Sequence, residues 1–534
     1  MNRVFLISSA AYVEAELIAE FGRLPPSFLP LGNRRLFAHQ HASLAAAGHR
    51  ILLSIPEDFT PEPTDAALLV KLGIEVVRVP PGLTLGQSLV YVINITALAG
   101  HAFTVLHGDT VLEGLDTEAT DVASVTTVVP PGYPWGYVQA PDGPLGQTIG
   151  GLPPASGPNE DSVALTGYFS FSDASLLVQS VTRAAGDFLK GLIGYAAQKP
   201  LRPVSATRWL DFGHASTYHA SRQAITTERG FNKLTARRRS LSKSSTNEHK
   251  IEAEANWFES LPPPLRVFTP AYLGLHQQGG AVSYGLEYLH LPTLSDLFVF
   301  GRLPGRAWDQ ILEACDEFLT ACAAYRPDTA QIGDLYLDKT LARLERFAAA
   351  AGISLSQPCR LNGMALPSLE QMARLAVTAI PAATAESMAL VHGDFCFSNI
   401  LYNFRSQQVR VIDPRGLDGQ DRFTAYGDRR YDIGKLHHSA IGKYDFIVAG
   451  FYDLTRHGPL DLSLALPDNP STQVLQTLFN GRSFAGLRPA DAAAQAISVL
   501  LFLSMLPLHA EDPQRQIALL ANAMRLFIDL DQGN

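Results

Sequence analysis

The sequence has no apolar run approaching the roughly 20 residues a helix needs to cross a bilayer. It also has no basic surplus: 42 Lys and Arg stand against 51 Asp and Glu, a formal net charge of −9. The first absence leaves no expected membrane span. The second argues against a general nucleic-acid or anionic-membrane binder, while leaving room for a local basic pocket for phosphates. Cysteine is scarce. Cys315, Cys322, Cys359 and Cys396 show no CxxC pairing, so free buried thiols in a reducing cytoplasm are expected. The opening stretch MNRVFLISSAAYVEAEL has one early Arg and a short apolar run, with Glu14 and Glu16 directly behind. That suits a first β-strand and not a signal peptide. Internal repeats and low-complexity tracts are missing too.

What is present is a chain of 534 residues, too long for one hydrophobic core. Its hydrophobic fraction is 46% and its charged fraction 17%, the balance of an ordinary globular protein. Up to Ser221 short apolar runs alternate with helical patterns. RVFLIS, RILLSIP, IEVVRVP and FTVLHGD read as buried strands, and RRLFAHQHASLAAAGH between them reads as an amphipathic helix. Such alternation predicts an α/β fold with a mostly parallel sheet covered on both faces. The Gly- and Pro-rich PPGYPWGYVQAPDGPLGQTIGGLPPASG predicts a hairpin and loop excursion.

The pattern changes near residues 222–230. FNKLTARRRSLSKSS reads as a hairpin and EHKIEAEANWFESLP as a helix with Ile251, Ala255 and Phe258 on one face. From Leu303 the chain reads as mainly helical, interrupted by loop, strand, turn and strand over AESMALVHGDFCFSNILYNFRSQQVRVIDPRG. The expected domains are therefore 1–222, 223–295 and 296–534. The short cluster Arg237–Arg239 reads by default as a solvated strand or loop.

The strongest chemical signal is HGDFCFSNILYNFRSQQVRVIDPRG, residues 392–416. Phosphoryl transfer to a hydroxyl needs a carboxylate near the attacking oxygen and oxygen ligands for magnesium on the transferred phosphates. A tight loop holding Asp394 and Asn399 supplies the base and one ligand, and a following hairpin brings in Asp413. The Asp-x4-Asn spacing followed by a second Asp is that of the protein-kinase catalytic loop. DFG, APE and an activation segment are missing, which argues against a protein kinase.

With His392 in the HGD form, this stretch resembles the aminoglycoside phosphotransferase and choline kinase family. The resemblance covers roughly residues 230–534 and implies a two-lobed, protein-kinase-like α+β fold with its catalytic loop in 392–415. It implies Lys243 of LSKSS on the ATP phosphates and Glu254 pairing with that lysine, with Glu252 as competitor. It implies Glu287 and Leu289 of YGLEYLH at the adenine hinge. Asp432, with Asp428 as alternative, is the acidic residue that contacts the acceptor or braces the loop. Arg415 is left between an anionic acceptor or phosphate and an ion pair with Asp428 and Arg429. His437 and His438 lack metal-ligand spacing partners and read as packed or surface residues.

In the N-terminal part, PPSFLPLGNRRLFAHQHASLAAAGHRILLSIP, VLHGDT, WGYV, ALTGYFSF and RWLDFGHASTYHAS resemble successive segments of sugar-phosphate and phosphocholine nucleotidyltransferases. The resemblance implies a Rossmann-like, GT-A-type fold for residues 1–222. It places Asp109 and Asp211 as magnesium ligands, Gly136 and Tyr168 near the sugar, and Ser8, Ser9 and Ala10 at the nucleotide phosphates. Gly86 stands either against the base or in a plain helix turn. The chain departs from the family at informative places. ISSAAYVEAEL replaces a Gly-rich loop and its following Arg, Ser27 stands where the activating Lys is expected, and the later Glu-Lys-Pro is absent. Arg23, Arg34 and Arg35 are the candidates to replace the lost cation. Taken together, the two resemblances imply a bifunctional kinase/nucleotidyltransferase for cell-surface polysaccharide precursors, using ATP, Mg²⁺ and a second NTP such as CTP. Its partners are a small alcohol or sugar and nucleotides, with a homo-oligomer left open. The alternative is a kinase with an inactive nucleotide- or sugar-phosphate-binding module.

Overall fold

The structure is a computed structural model that describes residues 3–44, 49–98, 100–129, 135–139, 149–151, 162–225, 232–237, 239–278, 281–327 and 336–532. The chain divides into two compact units, Met1–Ile225 and Thr226–Asn534.

The first unit is built on the four apolar runs read as strands. Val4–Ser8, Arg50–Pro56, Ile74–Val79 and Phe103–His107 pair in parallel, in the spatial order 74–79, 50–56, 4–8, 103–107. Ser162–Phe171 then adds antiparallel to 103–107. Successive residues of the first strand point to opposite faces, yet Val4, Phe5, Leu6 and Ile7 are all buried. Both faces are therefore covered, which is why the strand reads as a continuous apolar run. On one face Leu6, Leu52 and Val105 pack against Leu89, Val92, Leu177 and Leu192 of three helices, Leu85–Ile95, Ala174–Arg183 and Phe188–Ala196. In the Gly/Pro-rich excursion Gly136–Gln139 pairs antiparallel with Ile149–Gly151. Apart from Trp135, whose ring lies 5.1 Å from that of Trp209, the rest of that excursion lies outside the described residues.

The second unit opens with an antiparallel sheet ordered Asn232–Arg237, Ser240–Ser245, Ala281–Glu287, Tyr272–Gln278. The helix Glu248–Ser260 lies on it, started by Asn247, whose side chain accepts from Lys250 N–H. This helix buries Ile251, Ala255 and Phe258 on the side toward the sheet. Beyond Leu289 helices dominate, but not as fully as the pattern predicts. Pro358–Leu361, Met364–Ser368, Asp453–Arg456 and Asp461–Ala465 form a further sheet. Its central pairing, Arg360 beside Asp461, joins segments far apart in sequence, so no local periodicity announces it.

The segment Ala492–His509 is long and apolar enough, by length and composition, to cross a membrane, a length the sequence reading does not anticipate. Its helix is the central one of this unit, packed against helices 337–351, 369–378, 430–440 and 513–532. Residues 494 and 496–505 are all buried, and a core helix passes the same test.

Candidate functional site

The loop after strand Met388–Leu390 sets the geometry of the C-terminal unit. Gly393 has φ +74°, and a Cβ there would meet Arg415 Cβ at 2.7 Å, so only glycine fits this turn. Both N–H groups at its apex, His392 and Gly393, donate to the two oxygens of the buried Asp432 at 2.8 Å each. Asp432 thus braces the loop from helix Arg430–Ala440. Asp428, its alternative, is instead held by Arg430 at 2.6 Å and by the Tyr336 hydroxyl at 3.0 Å. Burial pushes the Asp432 carboxyl up to about 7 against the pull of those two N–H groups, and burial pushes His392 down to about 4.

Asp394 leaves this turn with 39% of its side chain open to solvent. Asn399 Nδ2 donates to its carboxylate and to its backbone carbonyl, both at 2.9 Å. Lys435 Nζ stands 2.7 Å from the other carboxylate oxygen. Burial alone would raise this carboxyl; the Lys435 charge and hydrogen bond override it and hold Asp394 well below the ordinary carboxylate range. Sequence reasoning misses Lys435. The available signal is its spacing: three residues after Asp432, it lies on the same face of helix 430–440.

The hairpin Ile400–Asn403/Gln408–Val411 carries Asp413 back to the same place, with Ile412 N–H donating to Asn399 C=O at 3.0 Å. Asp413 adopts φ +58°, a strained conformation for a side-chain-bearing residue and one met mostly at functional sites. Its carboxylate lies 3.0 Å from Lys243 Nζ, and Lys243 in turn lies 2.7 Å from Glu254. Of the two glutamates, Glu254 is the one that faces the lysine. The buried Tyr284 hydroxyl donates to Glu254 at 2.6 Å, a further contact the sequence does not reveal. Burial disfavours the Lys243 ammonium, but the Asp413 and Glu254 charges outweigh it and raise its pKa. Glu287 and Leu289 sit at the end of the last sheet strand and just beyond it, ahead of helix Leu294–Phe300. Arg415 pairs with neither Asp428 nor Arg429; its guanidinium lies 5.6 Å from the Tyr431 ring centroid. His437 and His438 are buried.

In the N-terminal unit, Ser8 and His107 are parallel partners at the carboxyl ends of adjacent strands, the edge where ligands bind in open α/β sheets. Asp109 follows there. The strand Arg208–Asp211 pairs with Thr110–Glu113 so that Asp211 opposes Thr110. Phe212 N–H donates to Asp109 C=O at 2.8 Å. A Cβ on Gly213 would lie 2.9 Å from Asp109 Oδ2 and 3.7 Å from Asp211 Oδ1, so the two carboxylates converge on one small space. Burial and the Asp109 charge raise Asp211 to about 7.

Other sequence candidates here serve the framework. Ser9 N–H donates to Ser54, and the Ser9 hydroxyl accepts from Ser27 N–H. The Ser27 hydroxyl donates to Gly108 C=O at 3.1 Å. A Cβ on Gly86 would stand 2.5 Å from Gly186 C=O, so Gly86 permits close helix packing, which is the plain-turn alternative. Gly136 begins its strand with Leu165 and Leu189 beside it. Tyr168 is buried in the sheet, which pushes its phenol up to about 12. Ala10 is half-buried beside the core. Arg35 is buried and bonded to Asp65 and Phe28 C=O, Arg23 pairs with Asp58, and Arg34 is exposed.

Among the described residues no group of three or more His, Cys, Asp or Glu side chains is arranged around a metal position. The oxygens that are present fit magnesium, which takes one or two carboxylates and keeps water and phosphate oxygens for its remaining positions. Asp211 turns Oδ1 toward the space shared with Asp109, and its Oδ2 is buried without a hydrogen-bond partner, an orphaned acceptor on a carboxylate that a hard cation would satisfy. Asp413 and Asn399 supply the corresponding oxygens in the C-terminal unit.

Comparison with known proteins gives a match between residues 211–445 and the phosphotransferase enzyme family. The chain therefore carries a phosphotransferase domain. No curated protein matches. Among solved structures, the chain is similar to an aminoglycoside-3'-phosphotransferase of type VIII, at 17% identity over 52% of this chain and 92% of that one, TM-score 0.33. It is also similar to the nucleoside-diphosphate-sugar pyrophosphorylase from Vibrio cholerae RC9, at 13% identity over 41% and 98%, TM-score 0.31. The inositol-1-phosphate CTP transferase from T. maritima aligns at 13% identity over 41% and 91%, TM-score 0.31.

Proposed function

We propose that the chain is a bifunctional enzyme. In this reading the C-terminal unit phosphorylates a small alcohol or sugar with ATP. The N-terminal unit then couples the phosphomonoester to an NTP, releasing pyrophosphate and making an activated precursor for cell-surface polysaccharide in the cytoplasm. The observation that carries the kinase half is the convergence of Lys243, Glu254 and Asp413 on one side and Asp394 and Asn399 on the other, linked by the Asn399–Ile412 backbone bond.

In the kinase step, Asp394 orients the acceptor hydroxyl toward the γ-phosphorus. The new O–P bond forms as the bond to the β–γ bridging oxygen breaks, and the hydroxyl proton passes to the Asp394 carboxylate. Because that carboxylate is a weak base, its main contribution is placement, with proton transfer late, as suits a loose phosphoryl-transfer transition state. Lys243 neutralises phosphate charge, held in place by Glu254 and Tyr284. Asp413 and Asn399 would hold Mg²⁺, which supplies charge neutralisation across the phosphates.

A second reading has its own support. The Ser9, Ser27 and Gly108 bonds occupy the positions where a phosphate cradle and an activating lysine are expected, and Arg23 and Arg35 are engaged elsewhere. Of the three candidate cations that leaves Arg34, which is exposed, and a unit in which it does not reach the phosphates is a nucleotide- or sugar-phosphate-binding module.

An ATP-consumption screen over hydroxyl compounds, repeated with CTP, GTP, UTP and dTTP, decides between them. Pyrophosphate release that disappears in Asp109→Asn and Asp211→Asn supports two activities. Silence with every NTP, alongside intact ATP consumption, supports the module.

A further inference from the structure

The surroundings of Asp394 are rich in basic side chains. Helix Leu337–Ala351 presents Lys339 and Arg343 one turn apart. Arg415, on the loop after Asp413, and Lys435, on helix Arg430–Ala440, are close enough for their charges to act on Lys339. Arg415 also lines a cavity whose wall includes His392, Gly393, Tyr336 and Tyr431. Tyr431 links the cations: its ring lies 5.6 Å from the Arg415 guanidinium and 6.2 Å from the Tyr336 ring, three residues before Lys339. Lys435 is one turn beyond Tyr431 on the same helix face.

The acids around this space are satisfied, and the bases are not. Asp428 is held by Arg430 and Tyr336. Asp418 accepts from Arg422 and from the Gln420 and Arg422 N–H groups. Asp432 accepts two backbone N–H groups, and Asp394 is matched by Lys435. By contrast Lys339, Arg343 and Arg415 form no ion pair among the described residues. Among the described residues Arg343 donates to Ser504 C=O, at 3.2 Å, and Asp421 acts on it only as a minor opposing charge. The crowding is energetically visible: burial, with the charges of Arg415, Arg343 and Lys435, pushes Lys339 down to about 6, against a smaller opposing pull from Asp394. Like charges gathered in a partly dry place without counter-charge are strained until an anion joins them.

We propose that Lys339, Arg343 and Arg415 form an anion subsite for the acceptor, so that the phosphorylated compound is a hydroxyl acceptor already bearing a phosphate or carboxylate group. This rests on Asp394 as the group facing the acceptor hydroxyl. A cationic acceptor, such as an aminosugar or a quaternary amine, meets the wrong sign of charge here.

The test uses the full chain and four probes on one sugar frame: glucose 6-phosphate, glucuronate, glucose and glucosamine. Binding is measured calorimetrically for the wild type and for Lys339→Met and Arg343→Met, together with ATP binding. The expected result is that at least one anionic probe binds roughly tenfold or more tighter than glucose. Glucosamine should bind most weakly, and each substitution should remove the anionic preference while leaving ATP affinity within about twofold. The phosphate and carboxylate arms report which anion is taken. The proposal is overturned if glucosamine binds as well as the anionic probes, if no probe is discriminated by charge, or if the substitutions weaken ATP instead. Asp394→Asn run in parallel separates the two claims. Turnover persisting in that variant removes the base assignment while the binding comparison still stands.

Discussion

Lys435 Nζ and Asp394 Oδ1 are 2.7 Å apart, and this pairing sets the charge state of Asp394, the proposed base. Desolvation by the surrounding protein would raise this partly exposed carboxyl; the ammonium reverses the direction. Asp394 is therefore ionised at every pH at which the enzyme works, and its fraction in the active form does not change with pH. The wild-type kcat profile is expected to show no acidic limb from this group between about pH 5 and 8. In Lys435→Met the burial effect remains without its counter-charge. The carboxyl then titrates in the measurable range, so kcat rises with pH through the new pKa and falls about tenfold or more at its acidic end. A flat profile in that variant would show that the pair is incidental.

The Lys243–Glu254 contact is 2.7 Å between two buried groups. Removing one partner strands the other charge. Lys243→Met is expected to lose most ATP-dependent turnover and to cost about 3–5 kcal/mol of stability in the C-terminal unit. Tyr284→Phe deletes only the hydroxyl bond to Glu254, with an expected loss of about 1 kcal/mol and a modest rise in KM for ATP. Chemical denaturation and ATP titration of the two variants check the ranking.

Much of this site can be read from residue order alone. HGDFCFSN and IDP lie on one continuous loop and hairpin, so their spacing carries geometry directly. Lys243 and Glu254 lie on adjacent elements, a strand and the helix after it. The strand–helix alternation before Ser221 likewise reports its sheet. What could not be read depends on long-range placement. Lys339 and Arg343 look like ordinary charges on an amphipathic helix until Arg415 and Lys435 are seen beside them. The sheet joining 358–361 to 461–465 has strands too short to outweigh the helical pattern around it. Ser9 reads as part of a weakened phosphate loop and Ser27 as the place of a lost activating lysine; only the structure reveals them bonded to each other and to Gly108.

Three buried imidazoles of the C-terminal unit set an acid limit on stability, His438 among them, since burial holds it too well below its ordinary value. In the unfolded chain histidine takes a proton near pH 6.5, whereas burial holds His392 down to about 4 and His437 to about 3. Between those values the unfolded state binds more protons, so stability rises with pH across the window. It is complete above about pH 6.5 and lost progressively as pH falls toward 4 and 3, at roughly 1.4 kcal/mol per pH unit per group. Thermal melts from pH 7 to 4 should show this slope, and His437→Phe should reduce it. An unchanged slope would remove His437 from the explanation.

Gly86 tests the framework reading of the N-terminal unit. A methyl group there meets Gly186 C=O at 2.5 Å and Val181 Cγ1 at 2.8 Å, so helix 85–95 must shift. Gly86→Ala is expected to destabilise that unit by about 1–3 kcal/mol. Nucleotide affinity lost without any change in unfolding would instead place Gly86 at the base.

The most direct measurement is ATP turnover by Asp394→Asn, with whichever hydroxyl acceptor the screen identifies, alongside ATP binding by the same variant. Asn399, Asp413 and Lys243 are untouched, so ATP affinity should stay within about twofold while kcat falls by roughly 10²–10⁴. Turnover near the wild-type rate, with ATP still bound, would contradict the role of Asp394 at the reacting hydroxyl.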